Sequence, residues 1–250
     1  QAELIIANPN GITCSGCGFI NTDRLSLITG SSEYNEAGDL INLNMGSGSL
    51  IIGALGLDAS TVTATSLVTR MAQIKGEIWA GDELDIKTGN DGYNLATKEI
   101  SSTGLDAKQG IAIDASLLGS MYAGRINLIA TEDGFGVKTE GNLVADVGRL
   151  EITADGNIEF KNIATAADFN ATSKSGSINS SGETYSVGNT NLTAAKNISV
   201  ESGEITAAQN ITLKAEAEIG LEADLLAGQN IEIAADGNIA FKNIATAADL

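Results

Sequence analysis

The chain of 250 residues carries 32 Asp and Glu against 14 Lys and Arg, a net charge of −18, and has no histidine. This balance argues against nucleic acid and anionic membrane surfaces as partners, which are bound through Lys or Arg clusters. The missing imidazole removes Ser-His-Asp and Cys-His catalysis and imidazole metal ligation. Aromatics make up only 4%, which is scarce for a compact core but sufficient for repeated layers of Ile, Leu, Val and Ala.

Glu3-Leu4-Ile5-Ile6-Ala7 reads as a strand. Nothing before it has the basic and apolar regions of a signal peptide. No later run approaches the roughly 20 apolar residues that span a bilayer. The chain therefore reads as a segment of a longer one. Asn8-Pro9-Asn10-Gly11 follows as concentrated turn chemistry. Pro fixes φ, Asn tolerates the left-handed region, and Gly supplies positive φ without steric cost. Ile12-Thr13-Cys14-Ser15-Gly16-Cys17-Gly18-Phe19-Ile20-Asn21-Thr22 then returns towards a core. Two cysteines are too few for a disulfide scaffold. Zinc would need a second Cys or His pair, and a redox pair would need a helix start that Gly18-Phe19-Ile20 does not offer. A local disulfide, free thiols and redox chemistry remain, in that order.

Leu40-Ile41-Asn42-Leu43 and Leu50-Ile51-Ile52 are strand-like within a Gly- and Ser-rich stretch. Residues 77–89 carry strand, turn and strand, with Trp79 between Ile78 and Ala80 as a core plug. Residues 90–104 read as an excursion from the regular path. Arg70, Arg125 and Arg149 are isolated cations expected to find local acidic partners.

The second half repeats. Ala154 to Asp168 recurs as Ala235 to Asp249, 81 residues on, with Glu159 replaced by Ala240. Ile158, Ile178, Ile198, Ile219 and Ile239 are spaced 20, 20, 21 and 20 apart. A second line runs Leu192, Ile211, Ile231, and a third Ile205, Leu225, Ile244. Apolar lines on three faces at one shared period describe a solenoid. Composition would make Lys214 to Ala227 a helix, yet Ile211, Leu213, Ala215, Ala217, Ile219, Leu221, Ala223 and Leu225 occupy every second position. That alternation predicts strand, with carboxylates out and aliphatics in. The expected fold is all-β: a right-handed parallel β-helix of about 20 residues per coil and three strand faces, with small extra-helical β excursions. Phe160 and Phe241 follow the repeat inward, and Asn197, Asn210, Asn230 and Asn238 suit corners.

Chemistry is hard to place. Asp82 with Glu83 and Glu132 with Asp133 are acidic neighbours, expected on solvent-facing turns. The calcium-binding nonapeptide repeat is absent, residues 154–157 lack further acids at EF-hand spacing, and no phosphate loop fits. No catalytic residue, metal or cofactor is expected.

Asn8 to Thr22 closely resembles the second signature motif of the two-partner-secretion (TPS) domain of Gram-negative exoproteins: filamentous haemagglutinins, secreted haemolysins and contact-dependent growth-inhibition proteins. Cys-x-x-Cys followed by Gly-Phe-Ile-Asn-Thr looks most like the haemolysin and contact-dependent-inhibition branch. Ile78-Trp79-Ala80 and Met121 to Glu132 resemble closing coils of that domain, and the later chain resembles haemagglutinin-type shaft repeats. The resemblance implies that residues 1–147 are the C-terminal portion of the secretion domain and 148–250 the first shaft coils. It places the family's Asn-Pro-Asn-Leu motif upstream. It implies export through periplasm and outer membrane, to the medium or the cell surface. A TpsB-type outer-membrane transporter would recognise the chain through periplasmic POTRA domains, with Asn8, Pro9, Asn10, Gly11 and Ile12 taking part. Export favours a Cys14–Cys17 disulfide. A target-cell receptor would meet regions further downstream; this segment is expected to be monomeric and not membrane-inserted. The whole protein would be a contact-dependent inhibition toxin or filamentous adhesin, the alternative being a pore-forming haemolysin. From a different class, a polysaccharide-active β-helix enzyme would need acids, Arg and aromatics clustered on one solvent face.

Overall fold

The structure, a computed structural model, describes residues 2–102 and 109–247. The elements form a parallel β-solenoid with three faces. Ten strands, from Ala2–Ala7 to Ile231–Ala235, stack in parallel on the first face. The other two faces form one sixteen-stranded sheet, because Phe135–Ala145, Ile158–Thr165 and Ile219–Ala227 run continuously around the corner between them. Ile158–Thr165, for example, pairs Ile178–Ser180 with its first half and Thr184–Ser186 with its second.

The interior follows from period-2 alternation. Along Ile219–Ala227, Ile219, Leu221, Ala223, Leu225 and Ala227 are buried while Glu222 and Asp224 are exposed. Helix propensity loses because neighbouring coils offer a wall of aliphatics only to a strand's inner face, where each full burial of Ile or Leu is worth about 1.5–3 kcal/mol. The line Ile158, Ile178, Ile198, Ile219, Ile239 is one directly stacked ladder, as is Ile205, Leu225, Ile244. The second line needs correction. Leu192 stacks on Leu213 and Ile233, whereas Ile211 lies between Thr190 and Ile231. A two-residue offset keeps side chains on the same face, so alternation alone cannot detect it.

Two departures interrupt the early coils. Leu40–Met45 is a strand as expected, but lies outside the solenoid, antiparallel to Gly30–Tyr34 and to Gly92–Asn94. The excursion expected at 90–104 supplies that third strand; its residues 103 and 104 fall outside the described residues. Leu43, Met45 and Tyr93 bury Ile28 and Val68 from the outer side of the first face, forming a second small core.

One aromatic assignment also changes. Trp79 points outward and stacks on Tyr122 with centroids 4.1 Å apart and planes 13° apart, because Ile78 and Ala80 take the inward positions. Phe160 is buried and meets Phe169 edge-on at 5.3 Å. Its repeat equivalent Phe241 stacks in register on the buried Leu221 and so takes the same inward side, its 58% exposure reflecting only its place in the last described coil. Asparagines line the corners: Asn210 Nδ2 donates to Asn189 Oδ1 at 2.8 Å and Asn230 Nδ2 to Asn210 Oδ1 at 3.0 Å. Each Oδ1 also accepts the next coil's backbone N–H, so the amides satisfy corner donors that no strand pairs.

Candidate functional site

The turn at Asn8 to Gly11 connects the first strand to Ile12–Cys14 and is held from both sides. Asn10 N–H donates to Asn8 Oδ1 at 3.1 Å and Gly11 N–H to the Asn8 carbonyl at 3.2 Å, closing the turn locally. Asn8 N–H donates to the Ile28 carbonyl of the next coil at 3.0 Å. Gly11 has φ +118°, and a Cβ there would lie 2.9 Å from the Ser49 carbonyl oxygen. A Cβ on Gly48 would lie 2.5 Å from the Pro9 carbonyl oxygen. Glycine is therefore required on both sides of this approach, one residue for conformation and both for space. Asn8, Pro9 and Asn10 remain exposed, while Gly11 and Ile12 are half-buried.

Beyond the turn, Ile12, Thr13 and Cys14 pair with Leu50, Ile51 and Ile52, and Cys17 and Gly18 with Leu57 and Asp58. Ser15 and Gly16 form the corner between these strands. Gly16 takes φ +72° and donates to the Gly56 carbonyl at 2.8 Å, while the Cys14 carbonyl accepts from Gly53 N–H at 2.7 Å. The structure joins Cys14 and Cys17 across this corner, with Cys14 buried and Cys17 half-buried. Residues 8–22 contain no ionisable side chain other than the joined cysteines. The site can offer amides, hydroxyls and backbone groups in fixed positions, and it has no acid or base to transfer a proton.

The remaining candidates are dispersed. Glu132 is not on a solvent-facing turn: it is buried, and Arg70 donates to it through Nη2 at 2.8 Å and Nε at 3.1 Å. That pairing raises the guanidinium pKa above its ordinary value, chiefly through the Glu132 hydrogen bond. Asp133 and Asp82 are exposed, Glu83 half-buried. Arg149 reaches Glu151 at 3.5 Å on the surface, and Arg125 is exposed. In the extra-helical core, burial, with Asp85 and Glu3 adding to it, pushes the Tyr93 hydroxyl up to about 12. Among the described residues no three His, Cys, Asp or Glu come together as a metal site, and no helix is long and apolar enough to cross a membrane. Sequence reasoning missed the outward Trp79–Tyr122 stack, since a Trp between two apolar residues is ambiguous as to side.

Comparison with known proteins gives a consistent assignment. The family model described as the TPS secretion domain matches residues 1–160. A protein named "Toxin CdiA" from Yersinia pestis is 38% identical over 192 residues, covering 76% of this chain and 6% of that protein. A "tRNA nuclease CdiA" from Yersinia mollaretii is 33% identical over 242 residues, covering 96% of this chain and 7% of that protein. The chain thus spans less than a tenth of the relatives it matches. The crystal structure of a filamentous hemagglutinin secretion domain superposes with a TM-score of 0.58 at 21% identity, covering 98% of this chain and 67% of that one. At that identity the likeness shows the fold.

Proposed function

Because the chain belongs to the TPS secretion-domain family, we propose that it is the targeting and folding module of a large exoprotein. An outer-membrane transporter of the TpsB type would recognise it through periplasmic POTRA domains. One observation carries the reading: residues 8–10 form an exposed turn, without ionisable groups, clamped rigidly against the coil above it. A preorganised turn of this kind adds little ordering cost on binding. Outside the cell no ATP is available, and coils that add one at a time onto an exposed edge could help draw the chain across the outer membrane. The chain would then act at the surface of a Gram-negative bacterium or beyond it.

Residues 1–147 would be the C-terminal portion of the secretion domain and 148–250 the first shaft coils. The change of regularity supports that division. Stacked partners Leu150, Phe169, Thr190, Ile211 and Ile231 are 19, 21, 21 and 20 residues apart, whereas Leu84 and Ile126 are separated by an excursion. The segment itself would be non-catalytic. The names of its relatives favour a contact-dependent inhibition toxin over an adhesin or haemolysin, with any toxic activity and any target-cell receptor contact in other parts of the chain. The Cys14–Cys17 link would form on export.

The test is a binding titration of this chain with the periplasmic domains of its cognate transporter. Asn8→Ala with Asn10→Ala should weaken binding at least tenfold with at most a small fall in melting temperature, since the exposed Asn8 Oδ1 bond to Asn10 N–H is lost. Unchanged affinity would remove the turn from the recognition surface, and no binding by the parent chain would overturn the targeting role. Exported protein should resist thiol labelling until reduced.

A further inference from the structure

The Trp79–Tyr122 stack borders a cleft of about 390 Å3 on the corner between the second and third faces. Three leucines stand at its edges on turn tips: Leu55 in one coil, and Leu117 and Leu118 two coils further on, exposed by 79%, 64% and 69%. The intervening coil passes beneath them at Gly76, where a Cβ would lie 2.4 Å from the Gly53 carbonyl oxygen. The floor is therefore backbone and the walls are aliphatic. Trp79, 45% exposed, closes the third-face side, and its Nε1 donates to Glu77 Oε2 at 3.0 Å. Asp58 lies beside the ring in strand register and also lines the cleft. Its carboxyl is held below the usual range by the Ser60 hydroxyl and N–H. Lys75, at the same corner, does not line the cleft. Turn tips are ordinarily polar, and clustered large apolar side chains exposed together mark interaction sites.

We propose that this cleft docks a polypeptide segment that inserts one aliphatic side chain between Leu55 and Leu117–Leu118 and sets an adjacent Lys or Arg against Glu77, Asp58 and the face of Trp79. The apolar walls fit the inserted side chain. The two carboxylates, on a chain of net charge −18, fit the cation and disfavour both an acidic segment and an anionic lipid surface. A cation over an indole face gains further attraction. The assignment does not depend on the turn at Asn8 to Gly11 or on transporter recognition.

Trp79 is the single tryptophan of the chain, so its fluorescence reports this cleft alone. The probes are three synthetic decapeptides of alternating Lys-Leu, Lys-Ser and Glu-Leu. Lys-Leu should shift and saturate the Trp79 emission, at least tenfold more tightly than either control and less tightly as salt is raised. Leu117→Ser with Leu118→Ser, on an exposed tip, should keep the melting temperature and lose that binding at least tenfold. Tyr185→Ser, an exposed aromatic elsewhere on the third face, should leave it unchanged. Equal responses to Lys-Leu and Lys-Ser would reduce the site to bulk charge and overturn the proposal. So would a silent Trp79, an unaffected double variant, or concentration-dependent self-association that buries Trp79 without peptide.

Discussion

Single residues in this molecule are constrained mainly by where the next coil passes. Gly11 shows this best, since its φ of +118° and the Ser49 carbonyl 2.9 Å from its Cβ position both exclude a side chain. Gly38 also has positive φ, +87°, yet nothing lies within 4 Å of its Cβ position. Gly11→Ala should therefore cost about 1–3 kcal/mol and Gly38→Ala distinctly less, as measured by urea unfolding. Equal losses would mean that conformation alone, without the Ser49 approach, sets the requirement. The Arg70–Glu132 pair is a second residue-scale case, because Glu132 is buried and Arg70 is partly exposed. Arg70→Ala strands a desolvated carboxylate and should destabilise by about 2 kcal/mol, the solvent exposure of the arginine holding the figure below the full cost of breaking a buried pair.

At the scale of elements, the extra-helical sheet is the part with its own chemistry. It gathers Gly30–Tyr34, Leu40–Met45 and Gly92–Asn94 into a cap whose core holds Tyr93. In the unfolded chain Tyr93 ionises from its ordinary value of 10.0, and in the folded chain only at about 12. The folded state thus retains the proton longer, so this group's contribution is complete below pH 10 and is lost as pH rises from 10 towards 12. Unfolding followed across that window should show a loss of stability that is smaller in Tyr93→Phe. A parallel decline in both proteins would show that Tyr93 is not desolvated. The sequence showed an interruption near 90–104, but not that it would pair with Leu40–Met45, because antiparallel pairing between distant segments leaves no local period.

On the scale of the whole molecule, stability comes from nearest-neighbour coil contacts. Ile219 lies between Ile198 and Ile239 in the second-face ladder and is 1% exposed. Ile219→Asp should cost more than about 3 kcal/mol through an unpaired buried charge, and calorimetry should show a large fall in melting temperature. Glu222→Ala, on the outer side of the same strand, should change it little. A small effect at Ile219 would contradict the ladder.

The sequence by itself determined the parallel solenoid, its period near 20 residues, the inward aliphatic lines and the tight turn at Asn8 to Gly11. Those features repeat along the chain or depend on residues next to one another, so local alternation and turn chemistry carry them. Only the tertiary structure decided that Leu192 stacks on Leu213, that Trp79 faces out, that Glu132 is buried under Arg70, and that two excursions join into one sheet. Each of these depends on which atoms of another coil arrive at a given height along the axis, and period-2 alternation is blind to a two-residue slide or to a partner many residues away.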